Sequence, residues 1–321
     1  MNTIPLTFDE HQINRTVIGG RKNTSKDALN ISVILLNSSG SHFKLHVFEN
    51  LLACNFEHVI SIESNAENFS IEDVAKKFPA IKFIIPLEKA TDGEMINLAM
   101  SEIDSEYVLV IRDSLYIPSG VMLPHLAERL TSEGVYCLVP RLLDKNKEGI
   151  NSVYVPGAEK SHFVIDSSSV VTDGIKTIYP FDYIGLYNRK KFIGLGGFDW
   201  TIKSSYWQNL DLAIRSWLWG EKTQLTTMFT FSYIDDIPVE DRTVNIDYLK
   251  YYLKNEVPRF KNDKGYISRT FFFKFSKRSS CGYIEARRLF RNAKEWVEKN
   301  KYNFKKDLPN FIQGWNLRDE K

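Results

Sequence analysis

The segment Gly196–Gly220, GGFDWTIKSSYWQNLDLAIRSWLWG, is where this 321-residue chain collects groups that could do chemistry. Paired glycines allow positive φ or a close backbone approach, and Asp199 can cap the turn that follows them. Asp211 is a carboxylate of the kind that takes a proton in general base catalysis, whereas its neighbours Gln208 and Asn209 are amides and cannot do so at ordinary pH. Trp200, Tyr206, Trp207, Trp217 and Trp219 crowd the same stretch. Aromatic faces stack on sugar rings, although most such clusters fill a core. Other chemistries fit less well: there is no G-x-S-x-G, no GxxxxGK[ST] and no H-E-x-x-H, and the six histidines are scattered. GLGG at Gly194–Gly197 lies too late, and with the wrong spacing, for a dinucleotide loop.

These groups must be positioned by an alternation of strands and helices. ISVILL (Ile31–Leu36) is a fully apolar run of the buried parallel type, followed by helical spacing over His42–Cys54. Strands are expected at His58–Ser64, Ile81–Leu87, Glu106–Asp113 and Val135–Pro140, with helices at Ile71–Lys77, Gly93–Ile103 and Leu123–Leu130 between them. The implied fold is α/β, a doubly wound, mostly parallel sheet whose ligands bind beyond the carboxyl ends of its strands. The loops after Leu36, Ile62 and Ile111 are then the places to look. Residues Leu142–Tyr179 read as hairpins and loops covering a site, Ile184–Phe192 as an ordered segment, Leu210–Trp219 as a helix and Met228–Asp235 as the last strand.

Composition sets further bounds. Apolar content of 43% and charged content of 26% are those of a globular protein. The net charge of +2 conceals an asymmetry: residues 250–321 carry 19 Lys and Arg against 8 Asp and Glu, a balance of +11, which leaves −9 before them. Such a tail can be drawn to an anionic membrane, to nucleic acid or to the acidic body of its own protein. Tyr283–Tyr302 is amphipathic, and its first expectation is docking on the domain's own core, with membrane contact second. Three separated cysteines make neither a zinc site nor a disulfide framework. No run of about 18 apolar residues exists and the amino-terminal residues do not read as a signal peptide, so a cytoplasmic location is expected, peripheral to a membrane if the tail binds one.

The span from Ile31 to about Asp235 resembles a family-2 glycosyltransferase of the GT-A, nucleotide-diphospho-sugar transferase type. ISVILLNSSG stands where that family has ISVIIPTYN. HVISIES stands where it has EIIVVDDGS, so Glu63 takes the place of an Asp that holds the nucleotide. In DGEMINLAMSEIDSEYVLVIRDS, Gly93, Asn97 and the strand fall in the family's register, so the helix start after Asp92 is expected to turn free N–H groups to the donor. The family's Asp-x-Asp, which holds a divalent cation on the diphosphate, reads Arg112, Asp113, Ser114. One carboxylate, Asp113, should hold Mg2+ or Mn2+ poorly. Either the planar Arg112 fork pairs with the diphosphate in the cation's stead, or Arg112 caps its strand, paired with an acid.

On the acceptor side Gly196, Gly197, Phe198, Asp199, Asp211, Leu212 and Arg215 match, but the family's Glu-Asp pair is Gln208 and Asn209. Asn209 thus occupies the position of the catalytic base. Asp211 can replace it only where the chain is irregular, because two residues of helix turn a side chain by about 200°. The resemblance implies a UDP- or GDP-linked sugar donor held near Glu63, Gly93, Asn97, Arg112, Asp113 and Ser114. It implies an acceptor over Gly196, Gly197, Asp199 and Trp207, and hexosyl transfer in surface polysaccharide or glycoconjugate synthesis. The alternative is a catalytically silent member acting as a binding or scaffold subunit for a partner transferase. The organisation expected is an extension (1–30), the transferase-like domain (31–240) and a basic, aromatic helical extension (241–321).

Overall fold

A computed structural model describes residues 11–316 except 22, 24, 26–27, 38–44, 64–70 and 160–161. Two of the loops singled out above, after Leu36 and after Ile62, fall largely outside the described residues. The strands are β1 (Arg15–Gly19), β2 (Ile31–Asn37), β3 (Val59–Glu63), β4 (Ile81–Pro86), β5 (Tyr107–Arg112), β6 (Leu115–Tyr116), β7 (Cys137–Leu143), β8 (Val153–Glu159), β9 (His162–Ser168), β10 (Gly185–Asn188), β11 (Thr223–Tyr233), β12 (Arg259–Lys261) and β13 (Lys264–Tyr266). The helices are α1 (Leu45–Leu52), α2 (Ile71–Lys77), α3 (Asp92–Ser101), α4 (Pro124–Thr131), α5 (Arg189–Gly194), α6 (Ser205–Leu218), α7 (Ile246–Asn255), α8 (Phe271–Arg278), α9 (Tyr283–Asn300) and α10 (Leu308–Gln313).

Among the described residues the central sheet has nine strands in the order β1-β4-β3-β2-β5-β10-β7-β11-β6. β2, β3, β4 and β5 are mutually parallel, and β7 and β11 run the same way, while β1, β10 and β6 oppose them. Every residue of β2 is buried. Successive side chains of a strand face opposite ways, so Ile31, Val33 and Leu35 join one core, with Val47, Phe48 and Leu51 of α1. Ile34 and Leu36 join the other, with Met95, Ile96 and Ala99 of α3. The chain leaves β2 for β3 and β4 on one side, then returns to β5 on the other. A topological switch point therefore lies at the carboxyl ends of β2 and β5.

Two departures from the sequence reading bear on the site. Residues 15–19, expected in a polar extension, form an edge strand on β4. α6 begins at Ser205, five residues before the expected Leu210, and buries every residue from Tyr206 to Leu218. A helix buried all round needs cover on every side, and the basic segment supplies it. Trp296 of α9 stacks on Trp219 with ring centroids 5.9 Å apart, and Phe311 and Trp315 lie against Trp217. α9 buries Ala286, Leu289, Phe290, Ala293 and Val297 in the same core as the sheet, each large side chain contributing about 1.5–3 kcal/mol. Self-docking of the amphipathic helix is thus what the structure contains.

Candidate active site at the carboxyl end of the sheet

Strand register brings Glu63 and Arg112, both expected on the donor side, to one edge: Asn37 lies opposite Glu63, and Leu36 opposite Arg112. Asp113 continues the alignment, its N–H donating to the Leu36 carbonyl. Glu63 is buried, and its two oxygens accept from Asn37 Nδ2 at 2.7 Å and Ser61 Oγ at 2.6 Å. Asp113 is buried as well, and the Ser114 carbonyl accepts from the Ile234 N–H of the segment leaving β11.

Arg112 sits between two carboxylates that its strand does not supply. Its Nη2 meets Asp92 Oδ2 at 2.5 Å, and its Nε meets Asp182 Oδ1 at 2.6 Å. Burial disfavours the charged guanidinium, but Asp182 and Asp92 outweigh it and raise its pKa. Asp182 carries the opposite balance: burial pushes its carboxyl up, Arg112 only partly offsets this, and the group reaches about 6. Asp182 and the next residue, Tyr183, both have left-handed backbone, φ 53° and 65°, a conformation that costs a bulky residue energy and persists only where surroundings enforce it. Tyr183 is enforced: its hydroxyl donates to the Ser205 carbonyl at 2.7 Å, and its own carbonyl accepts from Tyr187. An open groove of about 350 Å3 lies beside this turn, lined by Tyr154, Phe181, Glu240 and Arg242 among others.

Among the described residues the groups around Arg112 do not suit a resident divalent cation. The end of β5 offers a guanidinium, and Asp92 and Asp182, the carboxylates that face it, are both engaged by that guanidinium. Among the described residues one trio has metal-ligand proximity, Glu57, His58 and Asp104. It lies at the amino-terminal ends of β3 and β5, away from this edge.

The start of α3 differs from expectation. Thr91 and Glu94 form a capping box, and the Gly93 N–H donates to Gln208 Oε1 at 3.2 Å. These N–H groups are satisfied within the chain rather than left for a donor. Gly93 is required by proximity, since a Cβ there would stand 2.4 Å from Gln208 Oε1 and 2.8 Å from Phe198 Cβ. Asn97 is likewise turned to the protein. Its amide donates to the Phe198 carbonyl at 2.8 Å and accepts from the Phe198 N–H at 2.9 Å, so Gly93 and Asn97 clasp the glycine turn.

That turn has the expected shape, with φ 86° at Gly196 and 65° at Gly197, and Asp199 Oδ1 accepting from the Thr201 N–H. Its polar groups, however, point inward. Arg215 donates to the Leu195 and Gly197 carbonyls and to Asp211. Lys254 Nζ reaches Asp199 Oδ2 at 2.8 Å and Asp211 Oδ1 at 3.2 Å. Burial raises the Asp199 pKa, but Lys254 prevails and holds it well below the usual range. Asp211 is 0% exposed and also accepts from Asn255, so the early start of α6 removes it as a substitute base. Asn209, 4% exposed, donates to the Pro180 carbonyl at 2.8 Å. Trp207 offers no ring face to an acceptor: it is buried among Tyr206, Tyr248 and Tyr251, with Nε1 donating to the Thr243 carbonyl.

Sequence reasoning missed Asp182 and Lys254 and treated Asp92 only as a helix boundary. Arg112 and Asp182 are 70 residues apart, and Lys254 and Asp199 are 55 apart, so no local spacing signals either pair.

No family model matches the chain, and no curated protein matches it. Among solved structures it is similar to GalNAc-T7 with UDP, GalNAc and Mn2+, at TM-score 0.60 and 11% identity over 96% of this chain and 62% of that one. It therefore spans about three-fifths of that structure's length. Weaker likenesses are to S. aureus TarS 1–349 (TM-score 0.49, 13% identity, 87% and 76% of the two chains) and to the mannosyltransferase PcManGT from Pyrobaculum calidifontis in complex with GDP-Man and Mn2+ (0.47, 11%, 91% and 76%). The chain has the GT-A fold, a mixed α/β architecture whose large, mostly parallel sheet is flanked by helices.

Proposed function

We propose that the protein binds a UDP- or GDP-linked sugar at the carboxyl ends of β2, β3 and β5, with Arg112 facing the diphosphate where relatives of this fold place a metal ion, and transfers the sugar to an acceptor. The observation that carries this reading is the state of Arg112. Asp92 and Asp182 fix its Nη2 and Nε, and among the described residues its Nη1 has no hydrogen-bond partner. A cation held rigid by its neighbours, with one arm of the fork free, stabilises phosphate charge without reorganising. The likeness to a structure that holds UDP and GalNAc supports the donor class.

Proton removal from the acceptor cannot fall to Asn209 or to the enclosed Asp211. Asp182 is the carboxyl whose chemistry suits it, since a base is most effective with a pKa near the working pH, and this one lies at about 6, next in the chain to Phe181, which lines the open groove. A second reading, binding without turnover as a scaffold for another transferase, is favoured by the inward turn of both motif positions.

Titration calorimetry with UDP, GDP and their sugars tests the donor site. Binding that persists in EDTA, is lost in Arg112→Ala and is partly kept in Arg112→Lys is expected. No binding, or binding that needs Mn2+ and ignores Arg112, overturns it. Sugar-nucleotide hydrolysis abolished in Asp182→Asn while binding remains separates transfer from the silent reading.

A further inference from the structure

The apolar stripe of α9 is spent on the core, yet a second apolar set on the same segment is not. Phe273 of α8 and Tyr283 and Ile284 at the start of α9 are 69%, 62% and 85% exposed. Phe273 and Tyr283 meet on one ring at the corner between the two helices, Phe272 lying 5.9 Å from Phe273 and 5.7 Å from Tyr283, ring centroid to centroid, and Ile284 follows Tyr283 in the chain. The corner is anchored from beneath, because Phe272 and Phe275 pack on Phe290. The exposed side chains are therefore held out by a folded support.

The surrounding charge is of one sign. Residues 269–291 include seven cations, Arg269, Lys274, Lys277, Arg278, Arg287, Arg288 and Arg291, all exposed, and a single acid, Glu285. Glu285 pairs with Arg288, and Arg291 lies 4.0 Å from Glu295. Among the described residues the other five have no ion pair.

We infer that this α8–α9 corner docks on an anionic lipid bilayer, with Phe273, Tyr283 and Ile284 entering the interface and the cations facing the lipid headgroups. An apolar tip alone or a basic ring alone binds a membrane weakly, and the two together give stable attachment. The aliphatic Ile284, the most exposed of the three, favours an acyl boundary over a stack of nucleobases, which recruits ring faces. The surface is separate from the sheet edge that holds Arg112, and the inference stands whether or not that edge binds a sugar nucleotide.

Flotation of the full chain with phosphatidylcholine vesicles, with and without phosphatidylserine, tests it. Binding is expected only with phosphatidylserine and should weaken as salt rises. Phe273→Ser/Ile284→Ser and Lys277→Glu/Arg278→Glu should each reduce the partition by about tenfold or more. All four positions are exposed, and an unchanged thermal midpoint shows that the variants are folded. Absence of binding overturns the inference, as does binding that the Phe273/Ile284 variant leaves intact. So does capture of a single-stranded oligonucleotide, lost in the charge variant, while vesicles stay unbound.

Discussion

An acid placed at position 209 should damage the protein rather than activate it. In Asn209→Asp the side chain that donates to the Pro180 carbonyl becomes a carboxylate facing that oxygen, at a position 4% exposed. The lost hydrogen bond costs about 1 kcal/mol, and an uncompensated buried charge raises the total to about 3 kcal/mol or more. A cost of that size corresponds to a carboxyl pKa raised by about 2, from about 4 in the unfolded chain to about 6. A raised carboxyl destabilises the folded state only above the unfolded value. The penalty should therefore be near zero at pH 4, where the protonated acid can again donate to Pro180, about half developed at pH 5 and complete by pH 7. Urea denaturation of both proteins at pH 4, 5 and 8 reads this as a pH-dependent fall in midpoint at constant slope. Equal stability at pH 8, or new sugar-nucleotide hydrolysis in the variant, would refute the reasoning.

Lys254→Met leaves the buried Asp211 and the half-buried Asp199 short of a cation, and should lower unfolding free energy by about 3–5 kcal/mol in denaturant titration. Gly93→Ala drives a methyl into Gln208 and Phe198; a loss of about 1–3 kcal/mol is expected, partly regained when Gln208→Ala is added. Burial pushes the Glu256 carboxyl up to about 8. Being a raised acid, it costs stability progressively as pH rises from the ordinary carboxylate range to 8, so Glu256→Gln should match the parent at pH 4 and exceed it at pH 8 in thermal midpoint. Donor affinity measured by calorimetry should rise as pH falls through 6, because protonating Asp182 removes a negative charge beside Arg112. Asp182→Asn should bind more tightly at pH 7.5 and lose that dependence.

The sheet was legible because its strands are buried on both faces and so read as continuous apolar runs: ISVILL, IKFIIP and YVLVIR fall where β2, β4 and β5 lie. The edge strand Arg15–Gly19 was not, since only one side of it needs apolar residues and the run RTVIG carries little pattern. The glycine turn was read correctly in its conformation, which Gly-Gly dictates locally. Its partners were not legible: α7 covers the start of α6 at Trp207, α9 and α10 cover its far end, and helical periodicity is weak in a segment buried all round. Glu63 ends β3 and Gly93 and Asn97 lie on α3, and their hydrogen bonds to Asn37, Gln208 and Phe198 reach across the chain, so no local spacing encodes them.

Arg112 and the amides Gln208 and Asn209 are joined in space. Gln208 accepts from the N–H of Gly93, the residue after Asp92, and Asn209 donates to the carbonyl of Pro180, two residues before Asp182. Asp92 and Asp182 are the carboxylates that grip Arg112. The two amides therefore brace both sides of the ion cluster from one turn of α6. A Glu-Asp pair there would keep only the first brace: ionised Glu at 208 still accepts from Gly93, though it loses the Nε2 that donates to the Asp199 carbonyl, and ionised Asp at 209 loses the donor to Pro180. An arginine between two acids in turn needs those acids held close, since their mutual repulsion would otherwise part them. Arg112 and the amides at 208 and 209 are thus coupled through Asp92 and Asp182, so that an acid at 209 should disturb the turn carrying Asp182 and, through it, the hold on Arg112.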